Sequence, residues 1–165
     1  MSERPRVSII IAAFDSPDRV KYCLATIKQN DFHDLETIVV QEATPEKLRD
    51  AIKTAKGRWI HFLSAEDRLC RDFKLIGYLL QVDNMIYTAE TVPRFEGPLS
   101  LPPKRKAILY PASIFEKYRF NPPPRSVVDK RLNFRLKFDF HYKTIHCPVH
   151  ANRVHWRRPE YEVCG

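Results

Sequence analysis

The apolar positions of this chain follow two rhythms, one of continuous short runs and one of helical stripes. Arg6 to Ala13 contains Val7-Ser8-Ile9-Ile10-Ile11, a β-branched run of the kind that a strand buried on both faces of a parallel sheet displays. Asp15-Ser16-Pro17 follows as a helix start, with a capping residue ahead of a proline in the first turn. Val20, Cys23, Leu24 and Ile27 then share one stripe, with Lys21, Lys28 and Gln29 outside it. Asn30-Asp31 breaks that helix, and Glu36-Thr37-Ile38-Val39-Val40 predicts a second buried strand.

Strand, helix and strand in this order predict a βαβ unit, and with it a parallel sheet and a right-handed crossover. Thr44-Pro45-Glu46 opens a second helix through Leu48, Ile52 and Ala55, which Lys56-Gly57 ends. Trp59-Ile60-His61-Phe62-Leu63 is the third strand, and it runs into Ser64-Ala65-Glu66-Asp67. Acidic residues at the carboxyl end of a central strand stand where open α/β sheets bind ligands. Further on, the pattern predicts a helix from Phe73 to Leu80, a short strand Met85–Thr88 and a proline-rich basic loop over 92–106. A strand over Ala107–Tyr110, a short helix over Ala112–Lys117, a helix over Val127–Leu136 and late strands Tyr142–Ile145 and Arg153–Trp156 complete the reading.

The chain has 165 residues, which fits one domain. Thirteen prolines against four glycines, with the prolines concentrated late, predict rigid loops in the second half. The net charge of +8 attracts polyanions such as diphosphates, nucleic acid or anionic lipid, though a basic surface that binds nothing is an equally ordinary outcome. Cys23, Cys70, Cys147 and Cys164 have neither close pairing nor metal-type spacing and read as reduced thiols. No apolar run reaches the length of a transmembrane helix, and residues 1–6 lack the apolar core of a secretion signal. The expectation is a cytoplasmic protein, or one peripheral at a membrane surface. His141, His146 and His150 do not have the helical pairing of a zinc motif and read as ordinary polar side chains on the surface, and His61 reads as buried packing.

Four segments in order resemble the family 2 glycosyltransferases, which have the GT-A fold. Ser8-Ile9-Ile10-Ile11-Ala12-Ala13-Phe14-Asp15 is similar to that family's Ser-Ile-Ile-Ile-Pro-Thr-Tyr-Asn, and Cys23-Leu24-Ala25-Thr26-Ile27-Lys28-Gln29 to its Cys-Leu-x-Ser-Ile-x-x-Gln. Leu35–Val40 matches its second strand, and Ala55-Lys56-Gly57-Arg58-Trp59-Ile60-His61-Phe62-Leu63 is close to Ala-x-Gly-Glu-Tyr-Ile-x-Phe-Leu. More loosely, Pro111–Phe120 resembles the segment ahead of the family's catalytic acid, Val128-Asp129-Lys130-Arg131-Leu132 its Glu-Asp and helix, and His155-Trp156-Arg157-Arg158-Pro159 its closing loop.

The resemblance implies an α/β domain over 1–165, a Rossmann-like, mostly parallel sheet flanked by helices. The donor half would be about 1–70 and the acceptor half about 71–165. It implies an inverting transfer of sugar from a nucleoside-diphosphate donor, a UDP-sugar, to a hydroxyl on a glycan, a lipid-linked sugar or nucleic acid. Donor binding falls to Ala12, Ala13, Phe14, Gln41, Glu42, Arg49, Arg157 and Arg158, a Mn²⁺ or Mg²⁺ ion to Glu66 and Asp67, and the general base to Asp129, with Asp139 as its rival.

The chain also departs from the family. Gln41-Glu42-Ala43-Thr44 stands for Asp-Asp-Gly-Ser, Ser64-Ala65-Glu66 for Asp-x-Asp, and a helix and strand between these motifs are missing. A degenerate relative that binds a nucleotide-sugar or a partner protein without turnover is therefore the second expectation. In it, and in an active enzyme without the metal, Arg49, Arg157 and Arg158 would take the diphosphate charge.

Overall fold

The computed structural model describes residues 4–15, 17–30, 32–69, 73, 80–82, 84–93 and 106–152. The central strand β1 (Val7–Ala12) is buried along its whole length, as its β-branched run predicts. It lies between β2 (Leu35–Val40) and β3 (Trp59–Ser64), and both pairings are parallel and in register, Val7 with Leu35 and Trp59 through Ala12 with Val40 and Ser64. Alternate side chains leave opposite faces of a strand, and two cores result. Val7, Ile9 and Ile11 pack with Trp59, Leu63 and the helix residues Val20, Cys23 and Ile27. Ile10 and Ala12 pack with Ile60, Phe62, Leu48, Ala51, Leu132 and Leu136.

Helix α1 (Pro17–Lys28) has Asp18 in its first turn and Lys28 in its last, a charge order that suits the helix dipole. Helix α2 (Pro45–Thr54) starts at Thr44, whose Oγ1 accepts from Lys47 N at 3.2 Å, with Pro45 at the first helical position. The one polar residue inside β1 is also satisfied. Ser8 Oγ donates to Glu36 Oε1 on β2 and accepts from Gly57 N at 2.7 Å, so a buried hydroxyl links β1 to β2 and to the connection that enters β3.

Beyond β3 the sheet changes direction. β4 (Arg68–Leu69), β5 (Ile86–Pro93), β6 (Lys106–Pro111) and β7 (Tyr142–Asn152) give the order β2-β1-β3-β6-β5-β7-β4. Pairings β1–β2, β1–β3 and β5–β7 are parallel, while β3–β6, β5–β6 and β4–β7 are antiparallel. The sheet is therefore mixed rather than mostly parallel. The parallel expectation came from the βαβ repeat of the first half, and the later strands have no such crossover signal between β5 and β6.

Other boundaries move for identifiable reasons. The helix expected over Val127–Leu136 is α4 (Lys130–Asp139), because Asp129 caps it and Ser126 Oγ accepts from Val128 N in a turn just before. The short helix α3 (Ile114–Lys117) matches its expectation but for its first two residues. Of the loop expected over 92–106, Val92, Pro93 and Lys106 are in strands, and the remainder lies outside the described residues. The late strand expected over Tyr142–Ile145 is longer, running to Asn152 as β7, and the one expected over Arg153–Trp156 lies outside the described residues. Register with β5 shifts around Glu90, opposite Pro148, where proline has no N–H to give the ladder. Of the helix expected over Phe73–Leu80, Phe73 is helical and Leu80 is not, and 74–79 lie outside the described residues. No described helix is long and apolar enough to cross a membrane.

Cys23 is a free, buried thiol. Burial, then the nearby Asp67 carboxylate, push its pKa up from 9.0 to about 12, with Arg68 opposing. The unfolded chain would ionise first, so the stability held by the neutral thiol is full below pH 9.0 and is lost as pH rises toward 12. The expected result is a Cys23 that reacts with a thiol reagent at pH 8 only as fast as the protein unfolds. Immediate labelling of the native protein at that position, read by peptide mass, would contradict this.

Candidate functional site

Ala12, Val40 and Ser64 are register partners at the carboxyl ends of β1, β2 and β3. The chain beyond each tip stays tied to its neighbour. Ala13 N donates to Val40 O at 3.0 Å, Ala43 N to Ala13 O at 2.9 Å, and Ala65 N to Ala12 O at 2.9 Å. Ala12 and Ala13 are buried and form a small-residue floor at these tips, and Phe14 beside them is half-buried.

Charged residues rim this floor in three acid–base pairs. Asp15 meets Arg125 at 3.1 Å, Glu42 meets Lys47 at 3.8 Å, and Glu66 pairs with Arg19 from the first turn of α1. Gln41 is exposed, and its carbonyl accepts from Lys47 Nζ at 3.3 Å. Glu42 has φ of 48°, a left-handed backbone that is uncommon for a residue with a side chain. Arg125 is left-handed as well, at 57°. Two such residues on one rim fit the way strained backbone collects at ligand sites.

The expected cation pair is split. Glu66 is exposed, while Asp67 is 8% exposed, close enough to Cys23 to act on its thiol, and its N–H donates to Ser64 O at 2.9 Å. Among the described residues no group of three or more His, Cys, Asp or Glu side chains is placed to hold a metal ion. Of the expected pair, Glu66 is the carboxylate that reaches the rim, where it pairs with Arg19.

Arg49 bonds to the segment that follows α3. Its Nη1 donates to Phe120 O at 3.3 Å and to Asn121 Oδ1 at 3.0 Å, and with Phe115, Tyr118 and Phe120 it lines a pocket of about 330 Å³. Phe120 stacks on Phe62 of β3 with ring centroids 4.1 Å apart, which fixes this segment on the α2 side of the sheet. Asp129 reaches the same place. Its Oδ1 accepts from Leu132 N at 3.0 Å as the cap of α4, and its Oδ2 accepts from Asn121 N at 2.7 Å.

Arg49 and Asp129, far apart in sequence, are therefore joined through Asn121, and four residues later Arg125 reaches the β1 tip. At 4% exposure Asp129 has a structural duty in this state, with spare lone pairs on each oxygen. Its rival Asp139 accepts from the Tyr118 hydroxyl. His61 is buried, with Nδ1 3.1 Å from Ile108 O, as its reading as packing predicts.

Sequence reasoning missed Arg19, Arg125 and Asn121. Arg19 stands in a helix turn and Arg125 follows three prolines, and neither position has a local mark of its distant partner. Arg157 and Arg158 lie outside the described residues.

The order of the strands and their joined tips can be set beside known structures. S. aureus TarS 1-349 in complex with UDP-GlcNAc matches 95% of this chain with a TM-score of 0.69 at 10% identity. The mannosyltransferase PcManGT from Pyrobaculum calidifontis, in complex with GDP-Man and Mn²⁺, matches 94% of it with a TM-score of 0.65 at 15% identity. This chain shares their fold. It spans 61% of the TarS fragment and 59% of PcManGT. No protein-family model matches the sequence, and no curated protein does.

Proposed function

We propose that this chain binds a nucleoside-diphosphate sugar over the tips of β1, β2 and β3 and transfers the sugar, with inversion, to a hydroxyl acceptor, in the manner of a family 2 glycosyltransferase of GT-A fold. The observation that carries the proposal is the register of Ala12 with Val40 and Ser64, continued by backbone bonds at Ala13, Ala43 and Ala65. It brings three carboxyl ends into one shelf with a small-residue floor, the place where open α/β sheets take nucleotides.

In this reading Phe14, Gln41 and Glu42 border the base of a UDP-sugar. Arg19 and Arg125 exchange their carboxylate partners for phosphate oxygens, with Arg157 and Arg158 assigned to the same charge. A Mn²⁺ or Mg²⁺ ion would be held by Glu66 together with the diphosphate, and it would supply further neutralisation of the leaving group. Asp129 is the proposed base for the acceptor hydroxyl, and Arg49 positions it through Asn121 rather than touching the donor.

A second reading, binding without transfer, is favoured by the two backbone amides that already occupy Asp129 and by Ser64 in place of an acid. Isothermal titration with UDP, UDP-GlcNAc and GDP-mannose, followed by an assay for released nucleotide, separates the readings. Heat with release supports transfer, heat without release supports the binder, and silence with every donor removes both. Under the metal assignment, EDTA should weaken UDP binding by about tenfold. An affinity unchanged by EDTA would place the phosphate charge on the arginines alone.

A further inference from the structure

Helix α4 presents a face that the other described residues do not cover. Leu132 and Leu136 are buried in the core, yet Phe134 and Phe138, two residues further on in each case, are 63% and 76% exposed. They are one helical turn apart, and their rings rest edge to face with centroids 5.3 Å apart. At about 100° per residue, Lys130 and Lys137 flank this aromatic pair on one side and Arg131 and Arg135 on the other.

All four cations are exposed. Among the described residues no carboxylate pairs with Lys130, Arg131 or Lys137, and Arg135 sits over the Tyr118 ring at 5.0 Å. The one acid of the helix, Asp139, accepts a hydrogen bond from the Tyr118 hydroxyl.

We infer that α4 docks this protein on an anionic lipid surface, with Phe134 and Phe138 entering the headgroup–acyl boundary and the four cations meeting lipid phosphates and carboxylates. An apolar stripe bordered by Lys and Arg is the pattern of helices that lie in a membrane interface. Two other occupants fit less well. A second copy of the same face would set four cations against four. A nucleic acid would stack successive bases on parallel ring faces, and these two rings are crossed at 69°. The inference goes beyond sugar transfer and does not rest on it, since lipid binding is read without any donor.

The test is co-sedimentation of the full chain with vesicles of equal parts phosphatidylcholine and phosphatidylserine, against pure phosphatidylcholine. Binding should favour the anionic vesicles by about tenfold and weaken with salt. Phe134→Ser with Phe138→Ser should lose about tenfold or more in binding at an unchanged unfolding midpoint. Lys130→Glu with Arg131→Glu should lose it by charge with both rings intact.

No sedimentation of the natural chain overturns the inference. So does a doubly substituted phenylalanine variant, or a charge-reversed one, that sediments like the natural chain. Retention on a DNA duplex without vesicle binding overturns it in favour of a nucleic-acid partner.

Discussion

Gly57→Ala is expected to lower the stability of the fold by about 3 kcal/mol, the upper range for forcing a methyl group into closed space. The reason is the backbone it would meet. A Cβ at position 57 would lie 2.8 Å from the carbonyl carbon of Val7, 2.5 Å from Ser8 Oγ, and well inside contact with the Ser8 amide nitrogen. The Ser8 hydroxyl is short and engaged, and Val7 and Ser8 belong to a strand paired on both edges. Neither side can yield without parting β1 from β3. The substitution would also disturb the Gly57 N–H to Ser8 Oγ bond at 2.7 Å.

Ser8→Ala, which removes that acceptor but leaves room, should cost less, about 1–2 kcal/mol. Urea unfolding of the two variants checks the order. A Gly57→Ala protein as stable as its parent would mean that the approach of residue 57 to β1 is looser than the structure has it.

Asp129 gives the second large effect, and two substitutions separate its duties. Asp129→Ala removes the cap of α4 and leaves the buried N–H of Leu132 and the part-buried N–H of Asn121 without their acceptor, at a cost of about 2–3 kcal/mol. Asp129→Asn keeps one carbonyl oxygen and caps a helix as well as aspartate does. It sets an amide donor toward the second N–H, so the loss in stability should be about 1 kcal/mol. A general base contributes about 10²–10⁴ in rate, so under the transfer reading the asparagine variant should lose at least about a hundredfold in turnover. That loss should come with only a small shift in unfolding midpoint. A variant that transfers sugar within a few fold of the natural chain would leave Asp129 as a structural cap alone.

The first half of the fold was legible because its signals are local. A β-branched run that needs burial on both faces gives β1, and Thr44-Pro45 gives the start of α2; its end falls earlier than Lys56-Gly57, at Thr54 with Ala55 as an extended cap. Asp129 could be read as the first acid of a helix for the same reason. The second half was harder. Nothing in Ala107–Tyr110 says that this strand runs antiparallel between β3 and β5, because that depends on which edge is left open once β1 has taken β3 on its other side. The rim was legible in its floor and acids, Ala12, Ala13, Glu42 and Glu66, and not in its cations. Arg19 and Arg125 acquire their meaning from partners brought near by the fold, as does Asn121.

The anchoring of Asn121 has a mechanical consequence. Its main chain is held by the carboxylate of Asp129 and its side chain by the guanidinium of Arg49, so one residue works as a shared tether between α2 and α4. A force that pulls Arg49 outward slackens the hold on Asn121, and with it one of the two bonds that immobilise Asp129. Motion of the second helix is in this way transmitted to the carboxylate by a linkage two hydrogen bonds long.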